Sequence, residues 1–252
     1  MTGKITDIKP LASPFYAPPY TPAWSCKGFQ RISVICEADK EAINKLLLNT
    51  PFSATGTRIE FFTDNMSGHT LGSFNESGIL VPVSYEGVCG LYHGVIFITT
   101  DVAMIAGREV FGYPKLLGEV SFEENNGRYI GSTTRKGEEI FHVEFEPNGD
   151  LIDVKELLPL SNTWKSEEYE WTHHLLIKSI PSPFLDKPDV LRIIYRNLSA
   201  KLSYIQPGNA TLTIGTAKEV FPTRNAKVVA AYLIKGDFGA GFNEDRRILA
   251  SL

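Results

Sequence analysis

Lys115 stands between Pro114 and the pair Leu116-Leu117, near the end of the run Gly107-Arg108-Glu109-Val110-Phe111-Gly112-Tyr113-Pro114-Lys115-Leu116-Leu117-Gly118. A lysine in water is almost wholly protonated at neutral pH, and roughly one molecule in a few thousand carries the free amine that attacks a carbonyl. Burial disfavours the charged form and restores that reactivity. A proline that fixes the backbone ahead of the lysine and apolar neighbours behind it suit a gripped, desolvated stem. Lys115 is therefore a candidate Schiff-base nucleophile, against the ordinary structural reading of a surface lysine that follows a turn.

The same run, with Asn75-Glu76-Ser77-Gly78 and Val81-Pro82-Val83-Ser84 upstream of it, resembles the acetoacetate decarboxylase family. The resemblance extends from Ser13-Pro14 to the region of Thr211 and is most specific between Glu60 and Gly118. It implies that Lys115 forms an iminium that serves as electron sink for the bond next to the substrate carbonyl, a use of a desolvated lysine of which this family is itself the standing example. It further implies that Glu76 gives and takes protons at the imine and enamine, and that no cofactor is needed.

The resemblance also marks Glu60, in the segment Arg58-Ile59-Glu60-Phe61, as a residue that orients Glu76 or the lysine; a strand-face glutamate paired with Arg58 is the simpler structural account. Arg108 and Glu109 are expected to fix their loop through ion pairs. Tyr113 is expected to line the pocket, and Phe97 to form part of the same wall. Two positions depart from the family pattern. Leu116 stands where a second lysine usually follows the reactive one, so an adjacent charge is absent and desolvation alone must activate the amine. Phe29 falls where the family places a substrate-binding arginine, with Arg31 two residues on along the same strand face. Without that clamp a β-keto carboxylate loses its obvious anchor.

The elements that would position these groups are mostly strands. Alternation and branched residues predict strands over 31–36, 57–63, 91–99, 119–124, 128–134, 139–146, 171–178, 189–202 in two pieces, 210–214 and 227–234. Asn125-Asn126-Gly127 and Arg135-Lys136-Gly137 are hairpin signals. Short helices are expected over 39–48 and 101–107. Gly68, Gly72 and Gly78 suggest a loop that carries Glu76, and Gly236, Gly239 and Gly241 another loop. The pattern is mainly β within an α+β class, an antiparallel barrel or cone with a few short helices. It reads as one domain over 1–252 with an extended Pro-rich N-terminal arm over about 1–25.

Of the 252 residues 43% are hydrophobic and 21% charged, and the net charge is -4. A globular protein fits these figures, and a nucleic-acid partner, which needs a concentrated basic face, does not. Cys26, Cys36 and Cys89 lack metal-ligand spacing and read as free thiols of a reducing compartment. His173 and His174 point to opposite faces of a strand, against a metal site. No apolar run reaches the roughly 20 residues of a membrane span, and the polar start Met1-Thr2-Gly3-Lys4 is no leader, so a cytoplasmic protein is expected. The aromatic, proline-rich arm suits a segment lying across a neighbour in the homo-oligomer that the resemblance implies.

The function expected is a cofactor-independent lyase that converts a β-keto acid to a ketone and carbon dioxide. Two alternatives stay open. One is a Schiff-base aldolase or aldolase-dehydratase of α-keto acids such as pyruvate, and the other a non-catalytic barrel that binds a small ligand.

Overall fold

The computed structural model describes residues 24–157, 170–184, 186–239 and 246–252. Nearly all of the proline-rich arm, and Gly241, lie outside them. In chain order the elements are β1 (Cys26–Glu37), α1 (Lys40–Leu46), β2 (Ser53–Ala54), β3 (Arg58–Asn65), β4 (Asn75–Tyr85), β5 (Val88–Ile98), α2 (Asp101–Ala106), a π-helical turn (Gly107–Phe111), β6 (Lys115–Leu117), β7 (Glu119–Asn125), β8 (Arg128–Arg135), β9 (Glu138–Pro147), β10 (Glu170–Ile180), β11 (Val190–Ile214), β12 (Lys227–Phe238) and β13 (Arg246–Ser251).

The predicted hairpins form. Asn126 and Gly127, and again Lys136 and Gly137, all take positive φ, the backbone of a tight turn whose twist matches the strands it joins. They connect β7 to β8 and β8 to β9.

All thirteen strands join one sheet, whose main path runs β10-β5-β4-β3-β1-β12-β11-β9-β8-β7. The sheet is not closed into a barrel, which corrects the expectation of a barrel or cone. Among the described residues β7, the last strand of the path, pairs with β8 alone. The reason lies in β11, a continuous strand of 25 residues where two pieces and a separate 210–214 segment were expected. Its first half pairs with β10 and β13, and its second half with β12 as far as Pro207. From Gly208 onward it is held by β9 instead. Proline lacks the amide hydrogen a ladder needs, and a Cβ on Gly208 would lie 2.4 Å from the Glu146 carbonyl oxygen; the exchange of partners therefore falls on this pair. From that point β7–β9 fold back over β3 and β4, where Ser77 Oγ lies 2.7 Å from Thr133 Oγ1 and Asn75 Nδ2 donates to the Val120 carbonyl at 3.0 Å.

Alternation along the strands splits the interior in two. Ile32, Val34, Ile59, Phe61, Val95 and Phe97 point into the main core, where Phe61 meets Phe141 edge to face at 5.4 Å. The opposite face of β1, β3 and β5 carries Phe29, Phe62, Ile96 and Ile98 into two smaller clusters. Between those two clusters lies a cavity.

Candidate active site

Three neighbouring strands lay a row of charge across that second face. Arg31 on β1 is directly opposite Asp64 on β3, and Asp64 is directly opposite Glu76 on β4. Glu76 in turn pairs with Ile98 on β5, while Ile96, two residues earlier, pairs with Lys115 on the parallel strand β6. Residues paired across a sheet share a face, so these side chains lie on one face, and Arg31, Glu76, Ile96 and Lys115 reach the cavity wall. Lys115 Nζ donates a hydrogen bond to Glu76 Oε2 at 2.7 Å, with side chains 11% and 13% exposed.

The expected loop around Glu76 is in fact strand. Gly78, read as a turn signal, belongs to β4, where an added Cβ would meet the Val95 carbonyl oxygen at 2.2 Å. The glycine is there for close strand approach, not for a bend.

Lys115 is held by the turn that precedes it. The amide hydrogens of Gly112 and Tyr113 both reach the Gly107 carbonyl, Gly112 takes φ of 88°, and Arg108 Nη1 donates to the Lys115 carbonyl at 3.0 Å. Arg108 thus fixes the loop by a bond to the lysine's own backbone, where an ion pair was expected. Single-turn π segments recur at functional sites because they re-aim a side chain. The apolar surroundings come from elsewhere than Leu116 and Leu117. Strand alternation turns Leu116 into the main core, and Leu117 is 45% exposed. The amine instead lies 5.6 Å from the Tyr113 ring centre and 5.8 Å from that of Phe74.

The cavity holds about 90 Å³, room for roughly six to nine waters at about 10–15 Å³ each, the scale of a small organic acid. Besides Lys115 and Glu76, its wall includes Arg31 and Tyr113. Phe29 and Phe97 are not among the lining residues. Phe29 lies behind Phe238, with ring centres 5.7 Å apart, and Phe238 faces the cavity in its stead. Phe97 pairs with Leu116 and so points into the main core; its neighbour Ile96 takes the wall position.

Arg31 is engaged. Its Nε and Nη2 donate to the two carboxylate oxygens of Asp64, each at 2.7 Å, and Nη1 lies 3.4 Å from Glu60 Oε1. Its guanidinium also covers the Phe62 ring at 4.4 Å. Burial works against the Arg31 charge, yet Asp64 and Glu60 hold the guanidinium above its ordinary range. Burial likewise pushes the Asp64 carboxyl up to about 7 against the pull of Arg31, and raises that of Glu60. Glu60 therefore braces Arg31 from outside the cavity, while Arg58 reaches Glu37 at 3.9 Å.

Four polar residues of the wall carried no signal of their own in the sequence: His69, His93, His174 and Arg196. Arg196 Nη1 donates to Tyr113 Oη at 2.8 Å, and Tyr113 Oη lies 2.6 Å from His174 Nδ1. His93 sits edge to face against Phe62, Tyr113 and His174, and neither of its ring nitrogens makes a hydrogen bond. Burial lowers His69 to about 4 and holds His93 and His174 well below the ordinary histidine value. His173, on the other face of β10, bonds the Tyr195 hydroxyl. Cys26, Cys36 and Cys89 are all free thiols, and burial pushes the first two up to about 12. Among the described residues no helix is long and apolar enough to cross a membrane.

This mostly antiparallel sheet with few helices is the fold of acetoacetate-decarboxylase-like structures. The structure superimposes on that of an acetoacetate decarboxylase with a TM-score of 0.80 and 19% identity, covering 97% of this chain and 96% of the other. The enduracididine biosynthesis enzyme MppR, solved in complex with pyruvate, shares the fold at a TM-score of 0.67 and 17% identity, with 96% of each chain covered. Residues 10–245 match the family model described as acetoacetate decarboxylase (ADC), and the chain belongs to that family. The acetoacetate decarboxylase of Clostridium acetobutylicum is 30% identical over 130 residues, 50% of this chain and 52% of that protein. The chain thus spans about half the length of the curated relatives it matches.

Proposed function

We propose that the protein is a lyase that acts on a small keto acid through a Schiff base on Lys115. The observation that carries this reading is the 2.7 Å bond between Lys115 Nζ and Glu76 Oε2 at the wall of a cavity of about 90 Å³. The amine nitrogen attacks the keto carbon, forming a C–N bond, and the carbonyl oxygen leaves as water after protonation. With a β-keto acid the iminium carbon is β to the carboxylate, and the bond between the α-carbon and the carboxylate breaks. Carbon dioxide departs, and the electron pair moves into the iminium to give an enamine. Glu76, within hydrogen-bond reach of the nitrogen, accepts the amine's proton on attack and returns a proton to the enamine carbon. Hydrolysis releases the ketone and the lysine. No cofactor enters, because the iminium itself is the electron sink. A keto acid is the small-molecule partner, and a homo-oligomer the working form.

A second reading uses the same iminium to join or split a carbon-carbon bond of an α-keto acid such as pyruvate. What favours it is the β1 wall: Phe29 is buried behind Phe238, and Arg31 is taken up by Asp64 and Glu60.

Incubation with acetoacetate or pyruvate, reduction with borohydride and peptide mapping by mass spectrometry tests both readings. Labelling of Lys115 is expected, with its loss in Lys115→Arg. Absence of an adduct across a panel of keto acids would leave a ligand-binding protein without this chemistry.

A further inference from the structure

The cavity wall holds a histidine that the mechanism above leaves unused, and a local irregularity of β5 puts it there. Val95 and Phe97 point into the main core, so unbroken alternation would send His93 to the same side. The ladder with β4 is interrupted instead: Ile79 pairs with Val95 and Leu80 with His93, which leaves Gly94 as an extra residue between them. This bulge turns His93 to the second face, where it lines the cavity beside Ile96. Bulges recur next to active sites because they re-aim a side chain in this way, and a glycine inside a strand is their usual mark.

His93 is 4% exposed, and neither of its nitrogens has a hydrogen-bond partner. Buried polar groups are almost always satisfied, so an open one calls for an explanation, and in a cavity wall a ligand atom supplies it. The indole Nε1 of Trp24, another lining residue, is buried and unpartnered as well. The unmet capacity therefore belongs to the cavity and not to one misplaced ring.

The chemistry of the missing partner follows from the imidazole. Burial first, and then the charges around it, keep the ring neutral. Whichever nitrogen carries the hydrogen, a neutral imidazole offers one donor and one acceptor. The neighbours of the ring are the edges of Phe62, Tyr113 and His174, and no hydrogen bond fixes it. A turn about Cβ–Cγ exchanges each nitrogen with a carbon. A hydroxyl, which both gives and takes a hydrogen bond, pairs with such a ring in either tautomer and either orientation; a carboxylate can only accept. The Tyr113 ring centre lies 5.3 Å from that of His93 and 5.6 Å from Lys115 Nζ, so one small molecule can meet both.

Resting on the Schiff-base reading for the position of the keto carbon, we propose that His93 is a specificity-determining contact that receives a hydroxyl of the substrate, which is then a hydroxylated keto acid.

The test is borohydride trapping of the unmodified protein with γ-hydroxy-α-ketobutyrate against α-ketobutyrate and with γ-hydroxyacetoacetate against acetoacetate, titrated for half-maximal labelling of Lys115. A parent acid leaves the buried imidazole unpaired, so at least one hydroxylated acid should label at a concentration about 5- to 150-fold below its parent. In His93→Leu that ratio should collapse to one or below, and His93→Gln, which keeps a neutral donor and acceptor, should retain part of it. Equal labelling within both pairs in the unmodified protein overturns the proposal and leaves the Schiff base standing, as does a ratio that survives in His93→Leu. If nothing labels, the Schiff-base reading falls, and calorimetry with the same four acids still decides the contact: tighter binding of a hydroxylated acid that is lost in His93→Leu supports it, and binding that is absent or unchanged overturns it.

Discussion

The stem of Lys115 lies against the bare Cα of Gly107: a Cβ built on that glycine would sit 2.7 Å from Lys115 Cδ and 2.8 Å from Cε. Glycine is required there by the amine it accommodates, since its own φ is an ordinary -65°. Gly107→Ala must push the stem aside by the better part of an ångström. A misplacement of that size costs about 100-fold in turnover. The expected result is a fall of that order in the labelling rate at Lys115, with the thermal midpoint nearly unchanged; wild-type labelling in the variant would refute the packing argument.

Asp64 neutralises a guanidinium that has almost no access to water. Removing one partner of a buried pair leaves the other charge stranded, at a cost of about 3–5 kcal/mol. Asp64→Ala should therefore lower stability by that much in urea titrations. The triple variant Arg31→Met, Glu60→Gln and Asp64→Leu, which removes the guanidinium and both carboxylates it holds, should recover most of it. Equal destabilisation in single and triple variants would show that packing, not the stranded charge, dominates.

Ile96 and Phe97 are neighbours on β5 with opposite duties. Phe97 is fully buried in the main core, so Phe97→Ala should cost about 3–5 kcal/mol while KM stays near its original value. Ile96→Ala alters the cavity wall and should change KM for the keto acid. Steady-state kinetics beside denaturant curves separates the two, and the reverse pattern would reassign the faces of β5.

Two buried imidazoles, His93 and His174, and the half-buried His69 set the response to acid. The unfolded chain protonates them from about pH 6.5 downward; in the fold, His69 resists to about 4 and His93 and His174 well below their ordinary value. Each therefore contributes stability that is complete above 6.5 and is lost as pH falls. Asp64, pushed up to about 7, acts oppositely: the folded chain binds that proton first, so its contribution declines as pH rises from about 4 to 7. Glu60 shifts in the same direction as Asp64. Three rings outweigh two carboxyls, and the urea midpoint should be lower at pH 5 than at pH 7. A higher midpoint at pH 5 would mean that the carboxyls prevail.

Much of this architecture was legible in the chain because its signals are local. The turns at Asn126-Gly127 and Lys136-Gly137, the alternation of β1 and β3, and the motif around Lys115 all lie within a few residues of what they determine. What escaped is non-local. Asp64 matters because it faces Arg31 across a strand pair, and His174 because β10 lays it beside Tyr113; neither is visible before the pairing is known. Glycine misled where it serves close approach, as at Gly78 and at Gly236, which lies within β12 and whose added Cβ would meet the Lys201 carbonyl oxygen at 2.4 Å. Phe97 was assigned to the wrong wall by one residue, the smallest error that reverses a strand's faces.

β5 pairs on one edge with the strand that carries Glu76 and on the other with the strand that carries Lys115. The spacing of amine and acid is therefore set by backbone hydrogen bonds and is indifferent to most side chains, whereas His69 and Arg196 come from segments outside that frame. A change of wall residue can therefore reshape the cavity while the amine and the carboxylate keep their distance throughout.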